Sequence, residues 1–240
     1  MDSTLPSKWF GSLFKNENII TSETVNWDLV PEEFVIFDVE TTGLDSYCDD
    51  ILEIGALRFI KRNYLATKKL DTFQCFVKQD KPIPKNITTI NSITDEMVAD
   101  GLPLKEVLEK FFDFVGTRRL VAFNAEFDHD FVRDAAKKVK YKIPRPFRVT
   151  CVLEHARIRF PGQSSYKLQS LAEMLQLDTS GAHRALQDCV MTFQVYITLL
   201  HVQDRFIVQM ANTQKRAEFF SKYWLYILLG IVIALMILSN

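Results

Sequence analysis

The sequence predicts an α/β domain with a mixed β-sheet flanked by helices, followed by a C-terminal transmembrane helix. Three runs rich in β-branched and aromatic residues come first, and the pattern becomes mainly helical after a fourth such run. Strands first and interleaved helices later favour this fold class. The transmembrane prediction rests on an uncharged apolar segment at residues 223–239.

The elements follow from composition and spacing in order. Short separations between the first three runs predict an antiparallel meander, and a helix is expected to start near Thr94. The strands are expected at residues 34–39, 51–60, 70–77 and 119–124. Apolar residues at helical spacing predict helices over residues 104–115, 125–141, 149–159, 166–177 and 184–208.

Composition excludes several classes of protein. The chain has 240 residues, 48% hydrophobic and 25% charged, which is enough for one core of about 150–200 residues. A net charge of −1 argues against a protein that holds nucleic acid by phosphate charge alone. The four cysteines form no C-x-x-C pair, so neither a zinc site nor a disulfide framework is expected.

Four regions are expected along the chain: a leader (1–31), a folded domain (32–205), a linker helix (206–222) and a membrane anchor (223–239). As a helix the last segment would extend roughly 25 Å, slightly less than a hydrocarbon core. Trp224 and Tyr226 lie where interfacial aromatics are expected, and basic residues precede the segment. We therefore expect a tail anchor with the folded domain in the cytoplasm. A buried core helix is the alternative.

Two carboxylates lie one residue apart at the end of the first strand. In FVIFDVETTGL, residues 34–44, Asp38 and Glu40 follow an apolar run. A strand repeats every two residues, so both side chains point to one face and Val39 to the other. A divalent cation would remove their mutual repulsion, and oxygen ligands suit magnesium or manganese. From these residues alone, a solvated pair at a sheet edge is the favoured interpretation.

Two further clusters place ionisable residues beside predicted helices. In FNAEFDHDFV, residues 123–132, Asp128 is expected in a first helical turn, where the helix dipole favours an acid even without a metal. In GAHRALQDC, residues 181–189, His183 precedes a helix that carries Asp188. A histidine beside an acid is a reasonable general base, although a lone histidine is more often incidental.

Together the three clusters resemble the motifs of the DEDDh, or DnaQ-like, 3′–5′ exonuclease family, which includes the proofreading ε subunit of bacterial DNA polymerase III. FDVETTGL looks like the first motif, with ILEIGAL as its companion strand. The second motif, N-x-x-F-D, starts at Asn124, and the third, H-x-A-x-x-D, starts at His183. All motifs occur in order, and the resemblance covers about residues 34–200.

The resemblance implies an RNase H-like fold and hydrolysis of phosphodiester bonds from the 3′ end of single-stranded DNA. It implies a two-metal mechanism with Mg²⁺ or Mn²⁺, in which His183 takes the proton from the attacking water. The implied metal ligands are Asp38, Glu40, Asp128 and Asp188. The implied substrate contacts are the Thr41 backbone, the Leu44 side chain, Phe127 as part of the pocket wall, and Asn124 as a hydrogen-bonding support.

Alternatives remain open at this point. Nothing in the pocket residues decides between DNA and RNA, so an RNA 3′-end or oligoribonucleotide exonuclease is one alternative. A membrane-tethered nucleic-acid-binding scaffold without catalysis is another, although none of the implied catalytic acids is lost. The family includes polymerase subunits, but the predicted membrane segment argues against a replisome role.

Overall fold

The computed structural model of the chain describes residues 25–179 and 183–201. Five strands form one mixed sheet, and helices cover both of its faces. The strands are β1 (Glu33–Thr41), β2 (Ile51–Ile60), β3 (Asp71–Phe76), β4 (Leu120–Ala122) and β5 (Val149–Cys151). The described α-helices are α1 (Lys61–Thr67), α2 (Lys85–Asn91), α3 (Asp95–Ala99), α4 (Leu104–Val115), α5 (Ala125–Lys138), α6 (Val152–Arg159), α7 (Leu168–Met174) and α8 (Ala185–His201).

The sheet has the strand order β3-β2-β1-β4-β5. Strands β1, β2 and β3 pair antiparallel, and β4 and β5 run parallel to β1. The expected meander and the mixed sheet are therefore confirmed. The single helix predicted over residues 149–159 is wrong at its start, because Val149 to Cys151 pair with β4 before α6 begins. Three residues are too few to show the alternation that identifies a strand.

The alternating side chains of β1 meet different helices on the two faces of the sheet. Val35, Phe37 and Val39 belong to a buried cluster that includes residues of α4 and α5. On the other face Phe34 contacts α8, with its ring centroid 6.3 Å from that of Phe193. Asp38 and Glu40 continue the row of Phe34 along the strand. The face that α8 covers therefore changes from apolar to acidic toward the end of β1.

Some differences concern the ends of the predicted elements. The short helix α1 was not expected. Val25 and Val30 are buried, and the Trp27 ring stacks on Phe59, so residues assigned to the leader pack on the domain. The helix expected from residue 184 begins at Ala185 and is described as far as His201.

The expected membrane anchor at residues 223–239 and the whole expected linker helix at residues 206–222 lie outside the described residues, as do the first 24 residues of the leader. In the part of the chain that the structure describes, no helix combines the length and the apolar character that a membrane span needs. The anchor and the region boundaries stay predictions.

Helix α8 approaches the sheet closely at Gly55 of β2. A Cβ atom at this position would lie 2.5 Å from the carbonyl carbon of Ala185 and 2.5 Å from the backbone nitrogen of Leu186. Only glycine therefore allows the first turn of α8 to lie on the sheet here. Because Asp38 is the partner of Gly55 in β1, the same contact brings the start of α8 to the acidic end of β1.

We expect Gly55→Ala to lower the free energy of unfolding by about 1–3 kcal/mol, since the added methyl group must push α8 away from the sheet. Urea unfolding followed by circular dichroism measures this change. An unchanged unfolding midpoint would contradict the close contact between α8 and β2.

Candidate active site

Strand β1 carries its two acids beyond the point where its parallel neighbour pairs with it. The register with β4 covers Val35 and Ile36, whereas the register with β2 continues to Thr41. Asp38 and Glu40 therefore lie on a stretch of β1 that has one ladder partner among the described strands. This leaves the other edge of the stretch free for contacts from helices.

Helix α8 brings a third acid to the same place. Asp188 lies in its first turn, ahead of the apolar residues that cover the sheet. One carboxylate oxygen from each of Asp38, Glu40 and Asp188 lies within 4.8 Å of the other two. The apolar contacts between α8 and β1 therefore end beside these three acids. We call Asp38, Glu40 and Asp188 the carboxylate cluster.

The fourth predicted acid, Asp128, lies beside this cluster in the first turn of α5. It is 2% exposed, and its Oδ1 accepts a hydrogen bond from the Val39 N–H at 3.2 Å. This bond ties α5 to the unpaired edge of β1. Burial raises the pKa of Asp128 to about 8, against the opposing effect of the hydrogen bond from Val39.

Burial and the charges of neighbouring acids both disfavour the ionised forms of the cluster acids. Burial, followed by the charge of Asp128 and then of Asp188, raises the pKa of Asp38 well above its ordinary value. Burial, with the charge of Asp188 as the next cause, raises the pKa of Glu40 to about 8. Both shifts mean that keeping these two groups ionised at neutral pH costs free energy.

These residues fit a divalent cation. Every donor in the cluster is a carboxylate oxygen, which is the ligand type that magnesium and manganese prefer. Burial, together with the charges of neighbouring acids, raises the pKa of Asp38 and Glu40 and so disfavours their ionised forms. A bound cation would supply that charge and favour the ionised forms.

His183 lies next to the cluster and is exposed. Its backbone N–H donates a hydrogen bond to Asp188 Oδ1 at 3.2 Å, and its φ of +66° is in the left-handed region. Burial raises the pKa of Asp188 to about 6, and the hydrogen bond from His183 opposes this rise. The histidine is therefore fixed to a cluster acid through its backbone, which leaves its imidazole ring at the surface.

Three of the predicted substrate residues line one shallow cavity of about 260 Å³: Leu44, Asn124 and Phe127. The Phe127 ring packs on Phe131 at a centroid distance of 4.7 Å. Asn124 supports the start of α5 through its backbone carbonyl, which accepts a hydrogen bond from the Phe127 N–H at 3.0 Å. Its side chain makes no capping hydrogen bond.

Leu44 is the most prominent side chain of this cavity, with 87% of its surface exposed. Its loop, residues 42–50, is held against α5 by three hydrogen bonds. Ser46 Oγ donates to Asp134 at 2.9 Å, and Lys138 Nζ donates to the Asp49 carbonyl at 2.7 Å and to Asp50 Oδ1 at 3.1 Å. The exposed leucine is therefore presented by an anchored loop.

Thr41 lies between the cluster and this loop and is buried. Its hydroxyl donates to the Gly43 carbonyl at 2.6 Å. The side chain hydrogen-bonds within its own turn, which is consistent with the expectation that Thr41 contacts a substrate through its backbone.

Two residues of this site were not predicted from the sequence. Glu53 on β2 is fully buried directly opposite Glu40, and it pairs with Arg184. Asn91 at the end of α2 is buried and hydrogen-bonds Glu40 through its side chain. A signal for Glu53 was available, because it is the one acid in the apolar strand ILEIGAL.

A protein-family model described as an exonuclease, RNase T, matches residues 35–196, which include the carboxylate cluster. The chain belongs to this exonuclease family. The chain carries the residue types after which the DEDDh group is named, at Asp38, Glu40, Asp128, Asp188 and His183. DEDDh exonucleases use divalent metal ions. The expected resemblance and the RNase H-like mixed sheet are therefore confirmed.

Several members of the family are similar to this chain. A PolC-type DNA polymerase III of Caldanaerobacter subterraneus subsp. tengcongensis is 38% identical over 70% of the chain, which corresponds to 12% of the polymerase. The DNA polymerase III subunit epsilon of Treponema pallidum is 34% identical over 70% of the chain and 76% of the subunit. The structure of exonuclease X in complex with 5′ overhanging duplex DNA shares 28% identity and a TM-score of 0.54, and covers 70% of this chain and 91% of that one.

Proposed function

We propose that this protein is a metal-dependent 3′–5′ exonuclease that removes nucleotides from the 3′ end of single-stranded DNA. The observation that carries the proposal is the carboxylate cluster, in which oxygens of Asp38, Glu40 and Asp188 lie within 4.8 Å of one another. Burial and the neighbouring acids disfavour the ionised forms of Asp38 and Glu40, and a bound cation would favour them. The related DNA polymerase III proteins support DNA as the substrate.

Four acidic side chains would hold the metal ions that hydrolysis needs. The cluster and Asp128 would hold two divalent cations, Mg²⁺ or Mn²⁺. Such ions supply positive charge that polarises an attacking water and stabilises the leaving 3′ oxygen. The Asp128 oxygen that accepts the Val39 N–H has a fixed direction, so its carboxylate is oriented before any ion binds.

His183 would act as the general base. Its ring is exposed, whereas its backbone is fixed to Asp188 by the 3.2 Å hydrogen bond. The imidazole would therefore accept the proton of the attacking water beside the carboxylates and release it to solvent.

The cavity lined by Leu44, Asn124 and Phe127 would hold the 3′-terminal nucleotide. Leu44 and Phe127 offer apolar surfaces to a base or sugar, and such contacts do not depend on the identity of the base. The exposed leucine would be covered by the bound nucleotide.

We expect Leu44→Ala to raise KM for a single-stranded oligonucleotide by about 5- to 30-fold, because about 1–2 kcal/mol of apolar contact with the nucleotide is lost. The value of kcat should change less, since the substitution leaves the carboxylates intact. Leu65→Ala is the matched control, because Leu65 is 40% exposed on α1, which follows the opposite end of β2. Equal KM values for the Leu44 variant and the control would contradict the assigned cavity.

The choice between DNA and RNA needs a direct comparison. Full-length protein in detergent solution is incubated with single-stranded DNA, single-stranded RNA and short oligoribonucleotides of matched sequence, with manganese or with chelator. We expect faster metal-dependent shortening of DNA. Faster shortening of RNA would favour the alternative of an RNA 3′-end or oligoribonucleotide exonuclease.

The alternative that is not an enzyme is a membrane-tethered scaffold that binds nucleic acid without catalysis. It would bind oligonucleotides without shortening any of them in magnesium or manganese. A polymerase partner is suggested only by the names of relatives, and co-purification with a polymerase would test it.

We also propose that residues 223–239 anchor the protein in a membrane. The support is their sequence, which carries no charge and follows Lys215, Arg216 and Lys222. Basic residues beside a span favour the cytoplasmic side, so the catalytic domain would face the cytoplasm. After an alkaline wash of cell membranes, the protein should stay in the pellet. Its recovery in the supernatant would refute the anchor.

A further inference from the structure

Glu53 is a fully buried carboxylate that lies opposite Glu40 on the neighbouring strand. Its Oε1 accepts hydrogen bonds from Arg184 Nη2 at 3.0 Å and from Gln74 Nε2 at 2.6 Å. Its Oε2 accepts bonds from Arg184 Nε and from the Ala185 N–H, both at 3.2 Å. Burying a carboxylate is costly unless hydrogen-bond donors and a positive partner surround it, as they do here.

Three of these bonds join β2 to the start of α8, which is far away in the sequence. Arg184 grips Glu53 with two nitrogens, which fixes the direction of its planar guanidinium group as well as its distance. The guanidinium carbon also lies over the Phe76 ring of β3, 5.4 Å from its centroid. The segment just before α8 is therefore attached to β2 and β3.

This attachment lies directly beside His183, whose backbone has an unfavourable conformation. A non-glycine residue with a φ of +66° needs surrounding contacts to hold it. One contact is its N–H bond to Asp188, and the next residue along the chain is Arg184. The bonds of Arg184 and Ala185 to Glu53 thus hold the two residues that follow the histidine, at the start of α8.

We propose that the Glu53–Arg184 pair is a latch that positions His183 and Asp188 against Asp38 and Glu40. The inference rests on the proposed function. Both latch residues are positioning residues, because they act through the segment 183–188. Glu53 and Arg184 do not line the cavity assigned to the 3′ nucleotide. The latch should therefore affect the chemical step and leave binding of the nucleotide nearly unchanged.

The test compares Arg184→Gln with the full-length wild-type protein. We expect kcat on single-stranded DNA to fall by about 100-fold, the usual effect of misplacing a catalytic group by about 1 Å, with KM within a factor of about two. Arg184→Lys keeps the charge but loses the two-pronged grip, so it should recover part of kcat. An unchanged kcat in Arg184→Gln would overturn the latch.

Arg58→Gln is the matched control. Arg58 pairs with Asp71 at 2.7 Å and lies 4.6 Å over the Phe114 ring, so it makes the same two kinds of contact as Arg184, an ion pair and a cation–π contact. It lies on β2, five residues after Glu53. We expect this variant to keep the wild-type kcat. An equal loss of kcat in both variants would overturn the latch, because it would show a general effect of removing a sheet ion pair.

Hydrogen exchange without metal gives a readout that does not need activity. The amides of His183 and Ala185 donate to Asp188 and Glu53, and both should exchange at least about tenfold faster in Arg184→Gln than in the wild type. Unchanged exchange would overturn the latch. If the wild-type protein shortens no substrate, the proposed function fails, whereas the exchange experiment still decides whether Arg184 holds this segment.

Discussion

Asp38→Asn is expected to lower kcat on single-stranded DNA by about 10³-fold or more, because a lost cation ligand removes several kcal/mol of transition-state stabilisation. Asp38 lies on the central strand β1, and its carboxylate is within 4.8 Å of those of Glu40 and Asp188. The asparagine has nearly the same shape, so the change removes charge without leaving a cavity. Release of mononucleotides in saturating manganese measures the effect.

The same substitution should make the metal-free protein more stable at neutral pH. Burial and the neighbouring acids raise the pKa of Asp38 well above its ordinary value, so its ionised form opposes folding. Thermal unfolding with chelator should show a higher midpoint for Asp38→Asn than for the wild type. A lower midpoint together with lost activity would indicate misfolding and would contradict this account.

Asp134→Asn is the matched control for the direction in which the unfolding midpoint changes. Asp134 is a buried aspartate on α5, but Arg133, Lys137 and Ser46 all bond to it and hold its pKa well below the usual range. Its ionised form favours folding, so its loss should lower the unfolding midpoint and leave most of kcat. Two buried aspartates should thus respond in opposite directions.

We expect the free energy of unfolding of the metal-free protein to fall as the pH rises, and bound metal to reverse this fall. In the folded protein the pKa of Glu40 and of Asp128 is about 8 and that of Asp188 about 6, whereas unfolded carboxyl groups titrate near pH 4. The folded state therefore binds more protons than the unfolded state between these values. In the metal-free protein, the contribution of these three groups to the free energy of unfolding is fully present below about pH 4. It is lost as the pH rises to about 8.

Manganese should reverse this loss, since a cation replaces the protons on the carboxylates. At a fixed manganese concentration that is 100 times its dissociation constant at pH 8, the ion adds about 2.7 kcal/mol at that pH, which corresponds to a rise of about 5–10 °C in the unfolding midpoint. The rise should be larger at pH 8 than at pH 5.5 and much smaller in Asp38→Asn. Scanning calorimetry at both pH values measures it, and an equal rise at both would contradict the proposed site.

Local sequence patterns predicted much of the fold and the placement of the acids. The period of two in β1 separates Asp38 and Glu40 from Val35 and Phe37, and the structure places the two sets on opposite faces. The start of a helix near Thr94 was also correct, since α3 begins at Asp95. These features depend on neighbouring residues, which a pattern can detect.

Contacts between distant parts of the chain could not be predicted in this way. Glu53 and Arg184 are 131 residues apart, so no local period connects them. The need for Gly55 became clear only when α8 was found against β2. Both features belong to the packing of α8, which brings Asp188 to the acids of β1.

Digestion of an oligonucleotide labelled at its 5′ end tests the central claim most directly. With full-length protein and manganese, the labelled strand should shorten one nucleotide at a time from its 3′ end, and neither chelator-treated protein nor Asp38→Asn should produce this ladder. Immediate release of the label as a mononucleotide, shortening that persists in chelator, or an intact strand under all conditions would contradict a metal-dependent 3′–5′ exonuclease.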